Sequence, residues 1–267
     1  MGTERMRHHK KAVLSVLVLL SAAAIAGAAN LASPISLVPP ARLAFGAVYH
    51  VGGYPLTDNA VPSIMNRVMA TCSFDPFDYA DIGVDIGATA LDVASFTGSA
   101  DTIGVFHGDW RFSIGGHLKL ASPMFFDNSL GAVCIGQATT FSSRNKNGAE
   151  YGGYDGTGAA GITIRVPQFG MVTVGAKLYL IQGENKGYTG ATAKYSNIRN
   201  MSGWLAVDFI PPVKEETKGK PFFSFEMSAT PDAGFSESVP IKDIAFSVSI
   251  GWISPRLWGE DLTERAQ

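Results

Sequence analysis

The chain has 267 residues, of which 16% are charged, with a net charge of −2 and a mean hydropathy of +0.14. This length suits one large β-domain or two ordinary ones, and the charge balance excludes a basic nucleic-acid-binding surface. The mild hydropathy excludes a bundle of membrane helices. Thirty glycines are instead typical of a β-barrel, in which a polar inner face dilutes the apolar residues.

The N-terminus has the three parts of an export signal. Four basic residues precede an apolar run over 12–25, and Ala26-Gly27-Ala28 offers the small residues that signal peptidase requires. The alternative is a retained membrane anchor, but an anchor needs about 20 apolar residues and this run is shorter. We therefore predict a signal peptide over 1–28 and an exposed lead-in over 29–40. The mature chain then has a net charge of −5, because the signal removes four of the 21 basic and one of the 23 acidic residues.

Residues 110–120, WRFSIGGHLKL, show the pattern that recurs along the mature chain. Every second side chain on one face is apolar or glycine, and the opposite face includes Arg111, His117 and Lys119. Successive side chains of a strand point to opposite sides, so the segment predicts a strand with one apolar and one charged face. Similar alternation predicts further strands, in chain order, at 42–52, 81–91, 160–166, 172–180, 204–209, 223–229 and 244–252. Residues 130–141 are also extended, but apolar side chains on both faces leave their orientation open.

Polar, glycine-rich stretches predict long loops at 144–158 and 183–200, with a third loop at 230–242. Shorter turns separate them at 121–129, 167–170 and 211–220. A bacterial outer-membrane barrel has short turns on the periplasmic side, long loops outside and an even number of strands.

The strand count depends on one difficult stretch, 53–79, which contains three prolines and has no dominant period. If both ends of the barrel lie inside, the nine strands above require a tenth. Residues 63–74 are the one candidate for it. We predict ten strands, with eight and twelve left open.

Residues 41–253 resemble the bacterial outer-membrane β-barrel proteins in their preceding signal, alternating strands and asymmetric loops. The run FSVSIGW at 246–252 looks like the aromatic-ended last strand that the insertion machinery recognises in that family, although a tail over 254–267 continues beyond it. The resemblance implies a closed antiparallel transmembrane β-barrel in the cell outer membrane, with outer-membrane lipid and the insertion machinery as partners. The alternative is an exported soluble β-sandwich, whose strands would also alternate.

In such a barrel the polar strand faces line the lumen. Glycines crowd these faces, as a narrow lumen requires, and aromatic residues are expected where the wall meets the membrane interface. Inward charges most often pair across the lumen and fill it; a thin, weakly anion-preferring pore for small solutes is the alternative. The function is then structural or a limited passage of solutes. The predicted lumen-facing charged residues are Asp85, Arg111, His117, Lys119, Arg165, Lys177, Asp208 and Glu226, and the predicted interface aromatics are Tyr49, Trp110 and Trp252.

The sequence carries no phosphate-binding loop, zinc-protease motif, nucleophile elbow or paired C-x-x-C. Ser113 and His117 share one face of one strand but lie about 13 Å apart, too far for a direct hydrogen bond. We therefore expect no enzyme, no cofactor and no metal site, and a lipid-modifying enzyme is the less favoured alternative. Cys72 and Cys134 are expected to act as small buried apolar residues, with a disulfide left open.

Overall fold

The computed structural model describes residues 42–56, 61–77, 79–94, 105–127, 129–167, 169–187, 190, 192–210, 219–234 and 242–255. The predicted signal peptide and lead-in, and the tail beyond 255, lie outside these residues. Eleven strands are described: β1 Leu43–Leu56, β2 Val61–Phe77, β3 Ala80–Val93, β4 Phe106–His107, β5 Arg111–Ala121, β6 Leu130–Arg144, β7 Glu150–Val166, β8 Gly170–Lys186, β9 Thr192–Phe209, β10 Lys220–Gly234 and β11 Lys242–Ile253.

Ten of these strands form one antiparallel sheet that closes on itself. The order around the ring is β10-β11-β1-β2-β3-β5-β6-β7-β8-β9, and the two-residue β4 pairs only with the upper end of β3. β9 and β10 lie side by side and complete the ring, where the Ser224 hydroxyl donates to the Asp208 carboxylate at 2.7 Å. The predicted fold class, a closed ten-strand barrel, is confirmed. No helix among the described residues is long and apolar enough to cross a membrane.

The burial pattern is inverted relative to that of a soluble protein. Charged and hydroxyl side chains are buried inside the ring, whereas large apolar side chains are exposed on its outer surface. On β7 the outer face is free of charge from Gly152 to Val166, a span that includes the roughly 9–11 residues a tilted strand needs to cross a membrane. A sandwich would bury its apolar faces between two sheets, so this alternative is excluded. The exposed apolar residues include Phe45, Val68, Ile82, Val84, Ile86, Phe112, Ile114, Leu118, Leu120, Ile162, Leu178, Phe223, Val248 and Ile250.

Three local predictions meet different outcomes. The tenth strand inferred for 63–74 is confirmed as β2, which pairs with β1 from Val61 to Phe74. The orientation left open for 130–141 is settled, since β6 turns Val133, Ile135 and Phe141 inward and small residues outward. The long loops predicted at 144–158 and 183–200 are wrong.

Most of those two segments is strand. β7 begins at Glu150, β8 continues to Lys186 and β9 begins at Thr192. Each of the strands β7 and β8 has a hydrogen-bonded neighbour on both sides, and this pairing outweighs the weak strand preference of glycine and polar residues. Strands β6 to β9 therefore extend beyond the uncharged part of the outer wall, which we call the uncharged band, at the end of the barrel where β1 turns into β2.

Candidate functional site

The interior of the barrel is the part of the molecule where charged and aromatic side chains converge. Toward the end where β1 turns into β2, fourteen buried residues form a cluster that we call the aromatic plug. Below it lies a set of buried charges that we call the charged layer. The aromatic plug comprises Tyr54, Leu56, Val61, Met65, Leu91, Val93, Phe106, Phe141, Ala149, Tyr151, Tyr179, Ile181, Tyr195 and Ala245. The charged layer comprises Arg67, Asp81, Asp85, His117, Lys119, Asp155, Lys177, Asp208 and Glu226.

One ion pair crosses the lumen. The Arg67 guanidinium on β2 donates to both carboxylate oxygens of Asp155 on β7, at 2.6 and 3.2 Å. Its Nε donates to the Thr89 hydroxyl at 3.0 Å, so all three guanidinium nitrogens have a hydrogen-bond acceptor. β2 and β7 are four strands apart in a ring of ten, nearly opposite each other. At this height the lumen is therefore only as wide as two side chains.

A second group joins a serine, a histidine and an aspartate on three neighbouring strands. His117 Nδ1 lies 3.1 Å from Asp85 Oδ2, and His117 Nε2 lies 2.9 Å from the Ser73 hydroxyl. The carboxylate can only accept, so Nδ1 carries a proton that it donates to Asp85. The other ring nitrogen, Nε2, shares a second hydrogen bond with the Ser73 hydroxyl.

Strand register explains how these side chains meet. Ser73 on β2 and His117 on β5 both pair with Gly83 on the intervening β3. A Cβ at position 83 would lie 2.1 Å from the imidazole ring, so the ring occupies the space that glycine leaves. Asp85 is the next inward residue of β3.

The order Ser–His–Asp matches that of acyl-transfer enzymes, but the surroundings differ. Ser73, Asp85 and His117 are all buried within the lumen. The Ser73 backbone belongs to the ladders of β1, β2 and β3, so its amide is not arranged as an oxyanion hole. The hydrogen bonds of the three side chains link β2, β3 and β5 inside the lumen.

The remaining cations of the charged layer are surrounded by carboxylates. Lys177 on β8 donates to Glu226 on β10 and, at 3.3 Å, to the Ser228 hydroxyl. Lys119 pairs in register with Asp81 and also lies in the field of Asp208. Lys119 and Lys177 are each 1% exposed, and an ammonium so far from water requires compensating charge.

The aromatic plug closes the other half of the lumen. Phe106 on β4 is fully buried, and its ring centroid lies 4.7 Å from that of Tyr151 in an edge-on contact. The Tyr195 hydroxyl donates to the Gly152 carbonyl at 3.3 Å. To do so its ring lies across Gly183, where a Cβ would come within 2.6 Å of the hydroxyl. His50, which no sequence motif singled out, joins the plug to the layer below through Tyr54 and Ser247.

The structure places the eight predicted lumen charges unequally. Six of them are buried in the charged layer: Asp85, His117, Lys119, Lys177, Asp208 and Glu226. Arg111 and Arg165 have inward parity but are exposed, because they lie at or next to strand ends. Sequence reasoning missed Arg67, Asp155 and Ser73, which fall in the segments whose structure it could not assign or assigned as loop.

The three predicted interface aromatics are all about half exposed on the outer surface. Trp110 directly precedes β5, and Trp252 is the penultimate residue of β11. Tyr49 lies in the middle of β1 rather than at an end. Cys72 and Cys134 are free, and Cys134 is exposed on the outer face, so the expectation that it is buried is wrong. Among the described residues, no group of three His, Cys, Asp or Glu side chains is placed to hold a metal ion.

No protein-family model matches the sequence, and no curated protein matches it. Solved structures that resemble the fold include the β domain of the Bordetella autotransporter Brka, at 10% identity and a TM-score of 0.39, covering 79% of this chain and 98% of that one. An outer membrane channel from Pseudomonas putida F1 matches at 9% identity and a TM-score of 0.33, covering 85% and 99%. The CymD monoaromatic hydrocarbon channel matches at 8% identity and a TM-score of 0.29, covering 81% and 89%.

These values are too low to say anything about function. The architecture rests on the strand pairing and the inverted burial described above, and it is that of an outer-membrane β-barrel.

Proposed function

We propose that this protein is a structural outer-membrane barrel with a lumen closed in the resting state, so that small solutes pass only after its interior rearranges. The observation that carries the proposal is the Arg67–Asp155 pair, which joins nearly opposite walls and so crosses the lumen. Separating the two side chains would give up both charge-assisted hydrogen bonds from the Arg67 guanidinium to Asp155. The closed form is therefore favoured.

The aromatic plug supports the same proposal from the other half of the lumen. A passing polar solute would have to cross both an apolar layer and a layer of buried charges joined in pairs. A channel needs binding sites that are weak enough for the solute to leave. Fully buried ion pairs such as Lys177–Glu226 are instead typical of an interior that is packed.

Planar-bilayer recording tests the closed lumen. We expect no steady ion-conducting steps from the unaltered protein, after its heat-modifiable migration on a gel has shown that the inserted material is folded. Reproducible conductance from the same folded preparation would contradict the closed resting state and favour the narrow-pore alternative.

We further propose that the chain is exported by a signal peptide cleaved after residue 28 and inserted in the outer membrane by the assembly machinery. The exposed apolar side chains around the outer wall support this location, because a surrounding lipid bilayer covers such a surface. Mass spectrometry of the mature N-terminus and cell fractionation test the proposal. Recovery of the mature protein in the soluble periplasm, or of protein that keeps residues 1–28, would contradict this proposal.

We also propose that the protein is not an enzyme, despite the Ser73–His117–Asp85 arrangement. A fluorophosphonate probe reacts with activated serines that it can reach. We expect no labelling of the folded protein, since Ser73 is 2% exposed. Labelling that disappears in a Ser73→Ala variant would establish a reachable, activated serine and reverse this proposal.

A further inference from the structure

A cleft of about 690 Å³ lies on the outside of the barrel, where β7, β8 and β9 rise above the uncharged band. Its floor includes Gly152, Gly153 and Gly183, and Tyr154 stands at its lower edge. Tyr154 lies on the uncharged outer face of β7, and the next charge above it on that face is Glu150. The cleft therefore opens toward the level at which lipid headgroups meet the wall.

The cleft carries charges of both signs on its rim. Glu150 pairs in register with Lys186, and Glu184 pairs in register with Lys194. Among the described residues no ion pair joins these four side chains to one another. Two ammonium and two carboxylate groups are thus held side by side, each still able to meet an opposite charge.

A shallow apolar groove continues down the wall from the cleft. It is formed by small outward residues of β6 and β7, which pair as Ala138 with Gly156, Gly136 with Gly158 and Cys134 with Ala160. No atom lies within 4 Å of a Cβ built on Gly136 or Gly158, so the surface there is open.

Leucines border this groove on both sides. Leu118 and Leu120 of β5 pair with the β6 residues, and Leu178 and Leu180 of β8 pair with the β7 residues. The groove is therefore two strands wide and bordered by leucine side chains on both sides. Its shape suits an extended acyl chain lying along the wall.

We propose that the cleft and groove together bind one phospholipid with a zwitterionic headgroup, such as phosphatidylethanolamine. Lys186 and Lys194 contact the phosphate, Glu150 and Glu184 contact the ammonium, and one acyl chain lies in the groove. The mixed charge fits a zwitterion better than an anionic headgroup, which the two carboxylates repel. This inference depends on the barrel lying in a membrane and is independent of whether the lumen is open.

Native mass spectrometry of the full barrel in mild detergent, titrated with phosphatidylethanolamine or phosphatidylglycerol, tests the site. We expect phosphatidylethanolamine to be retained preferentially. The double variant K186E/K194E makes the rim wholly acidic and should weaken retention roughly tenfold, because it replaces two attractions with two repulsions. K146E is the matched control, since Lys146 is exposed in the β6–β7 turn outside the cleft.

A second pair of variants tests the groove. Gly158→Leu fills it at a position with open space around the new side chain and should weaken retention as well. Ala47→Leu, on the outer face of β1, is the matched control and should not.

Equal binding of both lipids, or no effect of either cleft or groove variant in protein that still migrates as a folded barrel, would overturn the proposal. A protein dimer in place of bound lipid would also overturn it and assign the groove to a second copy of the chain.

Discussion

Replacing Asp155 by alanine removes one half of the ion pair that crosses the lumen. Arg67 would keep its bond to Thr89 but lose both bonds to the carboxylate, at 2.6 and 3.2 Å, while remaining 1% exposed. Removing one partner of a buried pair costs about 3–5 kcal/mol, because the other charge is left without compensation. Asp109→Ala removes an exposed carboxylate and should change stability by less than about 0.5 kcal/mol.

The double variant R67M/D155L separates the cost of an orphaned charge from the loss of packing. Two apolar side chains need no compensating charge, so the double variant should be more stable than D155A. Urea unfolding of the barrel in detergent micelles, followed by tryptophan fluorescence and by heat-modifiable migration, measures all four proteins. The reasoning fails if D155A loses less than about 1 kcal/mol, or if the double variant is no more stable than D155A.

Two further predictions concern the wall. Gly83→Ala places a Cβ 2.1 Å from the His117 ring and should lower the free energy of unfolding by about 1–3 kcal/mol. Gly136→Ala meets no atom within 4 Å and should leave it unchanged. Equal effects of the two variants in urea unfolding would refute the packing argument. In single-tryptophan variants, lipids brominated on their acyl chains should quench the fluorescence of the outward Trp252 but not that of Trp204, which is buried inside the barrel. Quenching of Trp204 fluorescence would mean that the inner and outer faces of the wall have been exchanged.

The period of hydrophobicity was sufficient to predict most of the wall. Where apolar and polar residues alternate strictly, as in β3 and β5, a strand buried on one side and covered by lipid on the other is the one structure that satisfies both faces. β2 was predicted from the requirement for an even number of strands instead, because its prolines and its mixed outer face hide the alternation of apolar and polar residues. That argument worked because a closed barrel leaves no strand edge unpaired.

The upper parts of β7, β8 and β9 could not be predicted in this way. Above the membrane both faces of a strand tolerate polar residues and glycine, so the alternation disappears while the backbone ladders continue. Local composition then resembles that of a loop. The long-range pairing that makes these residues strands leaves no local signal in the sequence.

The sequence predicted which charged side chains point into the lumen but not which of them contact each other. Parity assigned Asp85, His117 and Lys177 to the lumen, yet it contains no information on height or on which strands face each other across the ring. Arg111 illustrates the first gap, since it has the right parity but ends at the exposed end of β5. The Arg67–Asp155 contact illustrates the second, because it joins residues 88 positions apart whose meeting depends on the stagger of the whole barrel.

The glycines beneath large inward side chains have a consequence for how such a barrel diverges. His117 lies over Gly83 and Tyr195 over Gly183, each on a neighbouring strand. The width of the lumen is thus set by the combined volume of two positions, not by either one alone. A larger residue at position 83 is accommodated only if position 117 becomes smaller. Divergent relatives should therefore show paired changes at positions 83 and 117, with covariation between adjacent strands where neither residue is individually invariant.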